Sequence, residues 1–517
     1  MVAAGSLATW HTVSLPPIVV DDAFISYRYA WNLVAGHGLV FNIDEYVEGY
    51  SNFLWVLLTA GALRGGLDPV FFTRVLGWIA LVGTVCTAIG LAWRVTRSRI
   101  AAATVGLWLA SSTALCASAV LGLETAGFGV LILAGATLFI RRRPMLASIA
   151  FGLAALTRPE GFALWLLALF VQALEGRRAR KSDWLRLVGP CLAMLVGLLA
   201  FRLSYYGSWT PNSVVAKAAL LTRLAAEDWT GWAGVVFNRA GLEYIERFVF
   251  ATVGPLAIVA LVPLLRPNGR RRAARYLSGA VALGFSVALY NHGDWMTAFR
   301  LLTPYQAMLT VLVVWGATSI LRGRLVRQRP VLAGGLRVGF VSLVLMAVSL
   351  GWQREMPERG SPPDRELAAL LRYSNQAGLL AATDVLGRLG YYAPEVPIVD
   401  MAGLTDAYIA RHGRPKPTFG KWDLDYTLSR RPHLIMTNTL NSWRDDLPRA
   451  DLNAEYICLI DPSWRPARYV FVRKGSVIER ELAWAYPNAR RLAPRELVGV
   501  AVAYGAVGTG KRIRLTQ

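Results

Sequence analysis

Two adjacent carboxylates, Asp21 and Asp22, open an acidic, aromatic-rich stretch that precedes the first strongly apolar segment of the chain. Three further acidic side chains follow within residues 21–55, against Arg28 as the single Arg or Lys there. A carboxylate pair can orient and deprotonate a hydroxyl group. The same residues are also suited to cap the helix predicted for the residues that follow, since Asp is favoured at helix starts. Both interpretations stay open from the sequence.

A second set of polar residues lies in short motifs spread along the chain. They are Glu48, Tyr50 and Asn52 in EGYSN, Glu124 in GLET, Arg158 and Glu160 in TRPEG, Asn212 and Lys217 in PNSVVAK, and His292, Asp294 and Arg300 in HGDWMTAFR. We expect Arg158, Lys217 and Arg300 to bind a phosphate group, because cations hold phosphate through charge-assisted hydrogen bonds. The other residues are predicted to contact a sugar or an acceptor.

Each of these motifs also has a structural interpretation. Residues 48–52 could form a turn and cap before an apolar run, and Arg158 could pair with Glu160 at a helix break made by Pro159. Lys217 and Arg300 could extend from the ends of membrane spans to lipid headgroups.

The composition predicts a membrane protein with many spans. Of 517 residues, 55% are hydrophobic, and the mean hydropathy is +0.40. The net charge of +22 does not indicate nucleic-acid binding, because the arginines form short clusters between apolar runs instead of one basic face. The four cysteines show no disulfide or zinc-ligand spacing, and no nucleotide-binding loop or common hydrolase motif is present in a suitable context.

About ten spans are predicted from runs near the roughly 20 apolar residues that cross a bilayer. They are residues 69–93, 100–119, 126–140, 145–156, 162–174, 184–203, 245–265, 276–290, 301–320 and 331–350. Arginine-rich loops occupy every second connection, which places those loops in the cytoplasm by the positive-inside rule. The polar motifs above therefore lie in loops on the outer side of the plasma membrane.

Two domains are expected. Residues 1–351 form the transmembrane catalytic domain, with a first outer loop at 21–68, and residues 352–517 form a soluble α/β or α+β domain outside the membrane. Short β-like runs at 393–399, 433–437 and 468–472 support the second assignment. Residues 1–20 make a poor span, so we expect either a marginal first helix or an upstream first helix missing from this sequence.

Several of these motifs resemble the GT-C membrane glycosyltransferases, over most of the chain. They are DDAFISYRYAWNL, GLVFN, VEGYSNFLW, GLET, TRPEG, WTPNSVVAK, HGDWM with Arg300, and LGYYAPEVPIVDMAGLTDAYIAR. Within that superfamily the sequence looks most similar to the terminal β-(1→2)-arabinofuranosyltransferases and to related proteins described as flagellar motor control proteins.

The resemblance implies a mostly α, polytopic GT-C helical bundle that uses a polyprenyl-phosphate sugar as donor and a cell-envelope glycan or glycolipid as acceptor. It places an essential Asp in the first outer loop, which corresponds to Asp21, with Asp22 as its neighbour. Some members need a divalent metal and others work without one, so a metal is left open and no other cofactor is assigned.

Two other functions are compatible with the sequence. A transporter or flippase of lipid-linked sugar would need polar residues near the bilayer midplane and inverted repeats, which the sequence does not show. A non-catalytic envelope or motor-associated membrane protein would keep the fold as a scaffold, and the intact Asp pair argues against it.

Overall fold

The computed structural model describes residues 1–16, 18–176, 180–217, 238–267, 269–294, 296–323, 364–374, 378–415, 420–438, 440, 443, 445–461, 464 and 468–497. The predicted span at residues 331–350 lies outside them. The chain divides into two compact units. Unit 1 comprises Met1–Val20, Asn52–Ser204 and Leu224–Pro357, and unit 2 comprises Asp21–Ser51, Tyr205–Arg223 and Glu358–Gln517.

Unit 1 is helical, and its helices are numbered along the whole chain. They are α1 (Val2–Ser14), α3 (Phe53–Arg64), α4 (Pro69–Thr96), α5 (Arg99–Ala110), α6 (Thr113–Ser118), α7 (Thr125–Ile140), α8 (Pro144–Thr157), α9 (Glu160–Ala173), α10 (Lys181–Tyr206, whose last two residues belong to unit 2), α12 (Arg239–Thr252), α13 (Val262–Leu265), α14 (Arg271–Tyr290) and α15 (Thr303–Leu321). Two 3-10 helices, Gly254–Leu261 and Thr297–Phe299, precede α13 and α15.

Among the described residues, four helices are long and apolar enough to cross a membrane, namely α4, α10, α14 and α15. At 1.5 Å per residue, the 28 residues of α4 extend about 42 Å, more than the roughly 30 Å hydrocarbon core. A fifth span results if α12 and Gly254–Leu265 are counted together, although the chain bends by 97° between them. These five helical segments correspond to the predicted spans at 69–93, 184–203, 245–265, 276–290 and 301–320.

The prediction of one continuous span at residues 100–119 is wrong. Helix α5 ends at Ala110, and Ser112 caps α6 by accepting a hydrogen bond from the Leu115 N–H at 3.3 Å. A serine hydroxyl in this position satisfies the backbone of a new helix start and so favours a break. Helices α7, α8 and α9 fall on three predicted spans but have only 16, 14 and 14 residues, and α1 has 13.

Helix α15 lies in the core of unit 1, where it packs against α4, α5, α7 and α14. Two glycines permit this close packing. A Cβ atom on Gly316 would lie 2.1 Å from the carbonyl oxygen of Val259, and one on Gly284 would lie 2.7 Å from the ring of Tyr305. The absence of a side chain at Gly316 lets the Val259 backbone approach α15, and its absence at Gly284 lets the Tyr305 ring of α15 pack on α14.

Unit 2 combines helices with a mixed sheet. Its helices are α2 (Asp21–Val34), α11 (Asn212–Lys217), α16 (Asp364–Tyr373), α17 (Leu386–Tyr392), α18 (Ala407–His412), α19 (Leu424–Ser429), α20 (Ala450–Glu455) and α21 (Val477–Ala485). Its strands are β1 (Ala381–Thr383), β2 (Ile398–Asp400), β3 (Arg414–Pro415), β4 (Lys421–Trp422), β5 (Leu434–Thr437), β6 (Tyr456–Ile460), β7 (Tyr469–Arg473) and β8 (Arg490–Leu492), and a 3-10 helix spans Pro494–Leu497.

Six of these strands form one sheet in the order β2-β1-β5-β7-β6-β8. The strands β2, β1 and β5 are parallel, whereas β7, β6 and β8 join by antiparallel pairing. The predicted β-like runs at 393–399, 433–437 and 468–472 overlap β2, β5 and β7. Strands β3 and β4 form a separate antiparallel pair.

The segment Asp21–Ser51 joins the sheet domain in unit 2. Helix α2 packs against α17, which follows β1. Asn42 extends this contact to the edge strand β2, because its side-chain amide accepts a hydrogen bond from the Ile398 N–H at 3.0 Å and donates one to the Ile398 carbonyl at 2.9 Å. The sequence assigned residues 21–68 to the membrane domain, whereas the structure groups Asp21–Ser51 with Glu358–Gln517.

Candidate functional site

Asp21 caps a helix that is remote in sequence. Its Oδ2 accepts a hydrogen bond from the Gly387 N–H at 2.9 Å, and its Oδ1 accepts one from the Arg388 N–H at 2.8 Å. Both N–H groups belong to the first turn of α17, where a helix leaves its donors without intrahelical partners. The predicted helix after Asp21 and Asp22 is confirmed, and both residues lie in the first turn of α2. The Asp21 side chain, however, caps α17 and not the helix in which Asp21 itself lies.

The surroundings of Asp21 raise its pKa to about 6. Burial is the largest cause, because it penalises the charged carboxylate, and the negative charge of Asp364 adds to it. The Arg388 side chain and the two backbone N–H groups act in the opposite direction. The result is a carboxylate that is ionised at neutral pH and more basic than an ordinary Asp.

The contact between α2 and α17 requires a glycine. A Cβ atom on Gly387 would lie 1.9 Å from the carbonyl oxygen of Asp21 and 2.9 Å from its Oδ2. No side chain fits into that space, so the Leu386-Gly387-Arg388 sequence is matched to Asp21 at the level of the backbone.

Arg28 fixes the other end of this contact. It is 1% exposed, and its guanidinium lies 4.3 Å from the centre of the Phe41 ring. Its five hydrogen bonds run from Nε to the Phe41 carbonyl (2.7 Å), from Nη1 to the Gly390 carbonyl (3.1 Å), and from Nη2 to Asn42 Oδ1 (3.2 Å) and the carbonyls of Pro394 (3.4 Å) and Val396 (3.0 Å). Burial lowers the pKa of Arg28 to about 9, so the side chain stays charged at neutral pH.

Asn212 contacts the protein backbone within unit 2. Its side-chain amide donates to the carbonyls of residues 403, 404 and 406 at 2.9, 3.0 and 3.1 Å, and its own N–H donates to the Glu48 carbonyl at 2.8 Å. These contacts join the first loop to the GLTDAY segment at 403–408. Lys217, at the end of the same short helix, is exposed.

Glu48 and Tyr50 are both buried, each 3% exposed. The Tyr50 hydroxyl lies 3.1 Å from the Tyr206 hydroxyl, and its ring packs edge-on against Tyr29 at 4.8 Å. This aromatic group belongs to unit 2, as do Asp21, Asp22, Asn212 and Lys217.

The remaining predicted residues lie in unit 1 and include a buried ion network. Arg158 pairs with Glu160 at 3.3 Å and with Glu124 at 3.7 Å, and Glu124 accepts a hydrogen bond from the Asn52 side chain at 3.0 Å. The predicted pairing of Arg158 with Glu160 is therefore present. Asn52 stands at the start of α3 without capping it through its side chain.

The HGDWM loop is bound to this network. Arg158 Nη1 donates to the Arg300 carbonyl at 3.2 Å, and Arg300 Nε pairs with Asp294 Oδ2 at 2.9 Å. His292 Nε2 is buried with no hydrogen-bond partner among the described residues. His292 and the pair Ala298 and Phe299 all have positive φ angles of 55°, 62° and 48°. Such strain in residues other than glycine persists where function or surrounding structure requires it.

Tyr305 lies near this network, and the sequence did not predict it as a site residue. Its hydroxyl is buried without a hydrogen-bond partner within the described part of the chain, and it interacts electrostatically with Glu160 and Arg158. A tyrosine in an apolar run is typical of a packed core, so the sequence alone does not indicate a buried hydroxyl without a hydrogen-bond partner.

Three residues of unit 2 were also missed, namely Asp364, Arg388 and Arg468. Asp364 is fully buried and pairs with Arg468 at 3.1 Å and with Arg388 at 3.7 Å. Nothing in their local sequence links them to Asp21. Within the described ranges, no group of three or more His, Cys, Asp or Glu side chains is arranged to hold a metal ion.

Two solved structures share this architecture. The oligosaccharyltransferase of Archaeoglobus fulgidus in the apo form superposes with a TM-score of 0.55 and 10% identity over 92% of this chain and 74% of that one. ArnT of Cupriavidus metallidurans, solved bound to undecaprenyl phosphate, gives 0.50 and 15% identity over 92% and 98%. The chain has the GT-C fold. The predicted GT-C helical bundle with a strand-containing C-terminal region is therefore confirmed.

Sequence comparison connects this GT-C chain with one curated protein. It is 27% identical over 328 residues to the terminal β-(1→2)-arabinofuranosyltransferase of Mycobacterium tuberculosis. The match covers 56% of this chain and 51% of the relative, so it spans about half of the relative's length. The family described as Domain of unknown function (DUF8728) matches residues 355–489. The apolar helices and the GT-C fold together make the chain a membrane protein.

Proposed function

We propose that the chain is a membrane glycosyltransferase that moves a sugar, arabinofuranose, from a polyprenyl-phosphate donor to a cell-envelope glycan or glycolipid at the outer face of the membrane. The observation that carries this proposal is Asp21, a carboxylate with its pKa raised to about 6 at the start of α2 in a GT-C fold. The names of the relatives, an arabinofuranosyltransferase and a protein bound to undecaprenyl phosphate, support the choice of donor.

In the proposed reaction the acceptor hydroxyl attacks the anomeric carbon of the donor while Asp21 takes the hydroxyl proton. The bond between the anomeric carbon and the phosphate oxygen breaks, and polyprenyl phosphate leaves with both electrons of that bond. Each Asp21 oxygen accepts one backbone hydrogen bond and so keeps lone-pair capacity for the proton. A pKa near 6 suits a base at neutral pH, since the group is ionised yet basic. Asp22 is proposed to orient the acceptor.

The proposed donor site uses the polar residues of unit 1. Arg158 and Arg300 are assigned to the departing phosphate, as is Lys217 of unit 2, because cations stabilise the charge that develops there. Both arginines already hold carboxylates, so a phosphate must share or displace these ion pairs. We assign Glu124, Glu160, Asp294 and His292 to sugar hydroxyls.

Four other residues predicted to contact substrate already contact other parts of the described chain, Glu48 through its backbone carbonyl. Asn212 holds the 403–406 backbone, and Asn52 holds Glu124. Tyr50 packs in an aromatic group, and the Glu48 carbonyl accepts from Asn212. We therefore propose that these residues shape the site instead of contacting the substrate.

The test is transfer of radiolabelled sugar from synthetic polyprenyl-phospho-arabinofuranose to an arabinan oligosaccharide by protein reconstituted in liposomes. Wild type should transfer, and Asp21→Asn should lose roughly 10²- to 10⁴-fold, the usual contribution of a general base. Asp44→Asn is the matched control, because Asp44 is an exposed residue of the same loop with a φ of 65°, which Asn also tolerates.

Other outcomes separate the alternatives. Movement of the lipid-linked sugar across the bilayer without transfer, unaffected by Asp21→Asn, would indicate a flippase. Transfer that survives in both Asp21→Asn and Asp22→Asn would contradict the assignment of the base. Transfer from a different lipid-linked sugar only would retain the enzyme and replace arabinofuranose.

A further inference from the structure

We propose that Asp364 is a positioning residue for the transfer reaction, because together with Arg388 it fixes the charge that Asp21 faces. This inference rests on the proposed function, with Asp21 as the base. It adds a residue from the C-terminal segment, 343 positions away, to the catalytic machinery assigned above.

One residue joins the two carboxylates. The backbone N–H of Arg388 donates to Asp21 Oδ1 at 2.8 Å, while its side-chain Nη1 lies 3.7 Å from Asp364 Oδ2. Any shift of Arg388 therefore changes the surroundings of both acids. The Arg388 guanidinium also lies 5.3 Å from the centre of the Phe24 ring on α2, which limits its movement.

Asp364 is held from the opposite side by Arg468. Arg468 Nε and Nη2 donate to its two carboxylate oxygens at 3.1 and 3.3 Å. Asp364 is 0% exposed, and Arg468 is 4% exposed. A buried, two-point contact of this kind holds the carboxylate in one place.

The charged groups near Asp21 come from three elements. Asp22 lies next to it on α2, Arg388 lies on α17, and Asp364 begins α16 with Arg468 behind it. The negative charge of Asp364 raises the pKa of Asp21, and the positive charge of Arg388 lowers it. Removing either one should therefore move the pKa of Asp21, and the two changes should move it in opposite directions.

The test is the pH dependence of kcat/KM for sugar transfer, which reports the pKa of the base in the free enzyme. Asp364→Asn should shift the acid limb to lower pH by about one unit, and Arg388→Met should shift it to higher pH by a similar amount. Arg372→Met is the matched control and should leave the limb in place, because Arg372 is an exposed arginine whose side chain pairs with the equally exposed Glu395.

A purely structural role would lower kcat/KM at every pH and leave the midpoint unchanged, and that result would overturn the inference. Shifts of both variants in the same direction would also overturn it. If Asp364→Asn does not fold, the comparison of Arg388→Met with Arg388→Lys decides, since Lys keeps the charge and should restore the midpoint. Full activity of Asp21→Asn would instead refute the proposed base, which is a separate failure.

Discussion

Replacement of Arg28 by Met should open the contact between α2 and the sheet domain of unit 2. The substitution keeps an apolar chain of similar length but removes all five hydrogen bonds. The Phe41 carbonyl keeps a donor in the Asn32 side chain at 3.0 Å. The carbonyls of Gly390, Pro394 and Val396 lose the donor that Arg28 supplies.

The magnitude follows from these three carbonyls. Each buried acceptor left without a donor costs about 1 kcal/mol at the low end of the usual range, which gives about 3 kcal/mol in total. Part of the loss is offset because a buried cation no longer has to be desolvated. We therefore expect a net destabilisation of about 2–3 kcal/mol, equivalent to roughly 30- to 150-fold in the opening equilibrium.

Hydrogen exchange measures this opening directly, through the amides of α17 and β2 in detergent-solubilised protein. Their exchange should accelerate by the factor given above in Arg28→Met and by less in Arg28→Lys, which keeps a charged donor. Arg372→Met should change exchange by less than about threefold, as expected for an exposed ion pair. Exchange in Arg28→Met within threefold of wild type would refute the reasoning.

Three further predictions concern single contacts. Gly387→Ala should lower sugar transfer at least tenfold, because the added Cβ would lie 1.9 Å from the Asp21 carbonyl oxygen. Gly189→Ala is the control and should keep its activity, since a Cβ there would have no atom within 4 Å. Equal activity of the two variants would argue against the α2–α17 contact. Asn212→Asp should lower the free energy of unfolding by at least about 2 kcal/mol, because it replaces the amide donor with a carboxylate facing three carbonyl oxygens. An unchanged thermal midpoint would contradict this prediction. Arg158→Gln should lower the free energy of unfolding by about 3–5 kcal/mol in chemical denaturation, because Glu124 and Glu160 lose their ion-pair partner. Arg158→Lys keeps the charge and should restore part of that stability. Equal stability of wild type and both variants would exclude the ion network.

The sequence predicted the long spans well because 20 or more apolar residues have few alternatives to a membrane helix. It failed where a short polar signal interrupts an apolar run. The serine cap at Ser112 divides one predicted span into α5 and α6, and the chain bends by 97° at the Gly254–Pro255 sequence. Both signals were visible in the sequence, since serine caps and glycine–proline pairs are common breaks.

The candidate site was predictable only in part. Asp21, Arg158 and Glu160 were identified from residue type, and Arg158 and Glu160 do pair. Asp364 could not be linked to Asp21, which lies 343 positions away in the sequence. The carbonyls of Gly390 and Val396 could not be linked to Arg28, because they lie 362 and 368 positions away and backbone acceptors carry no sequence signature. Those contacts are properties of the tertiary fold, which a single sequence does not display.

The link between Asp21 and Gly387 joins residues 366 positions apart, and this separation has a consequence for biosynthesis. At a synthesis rate of about 5–20 residues per second, the first loop emerges roughly 20–70 s before its partner helix exists. During that interval α2 lacks its partner helix α17, and Arg28 lacks the carbonyls of Gly390, Pro394 and Val396. Translation arrested before residue 387 should therefore leave this loop more sensitive to protease than it is in the full-length chain.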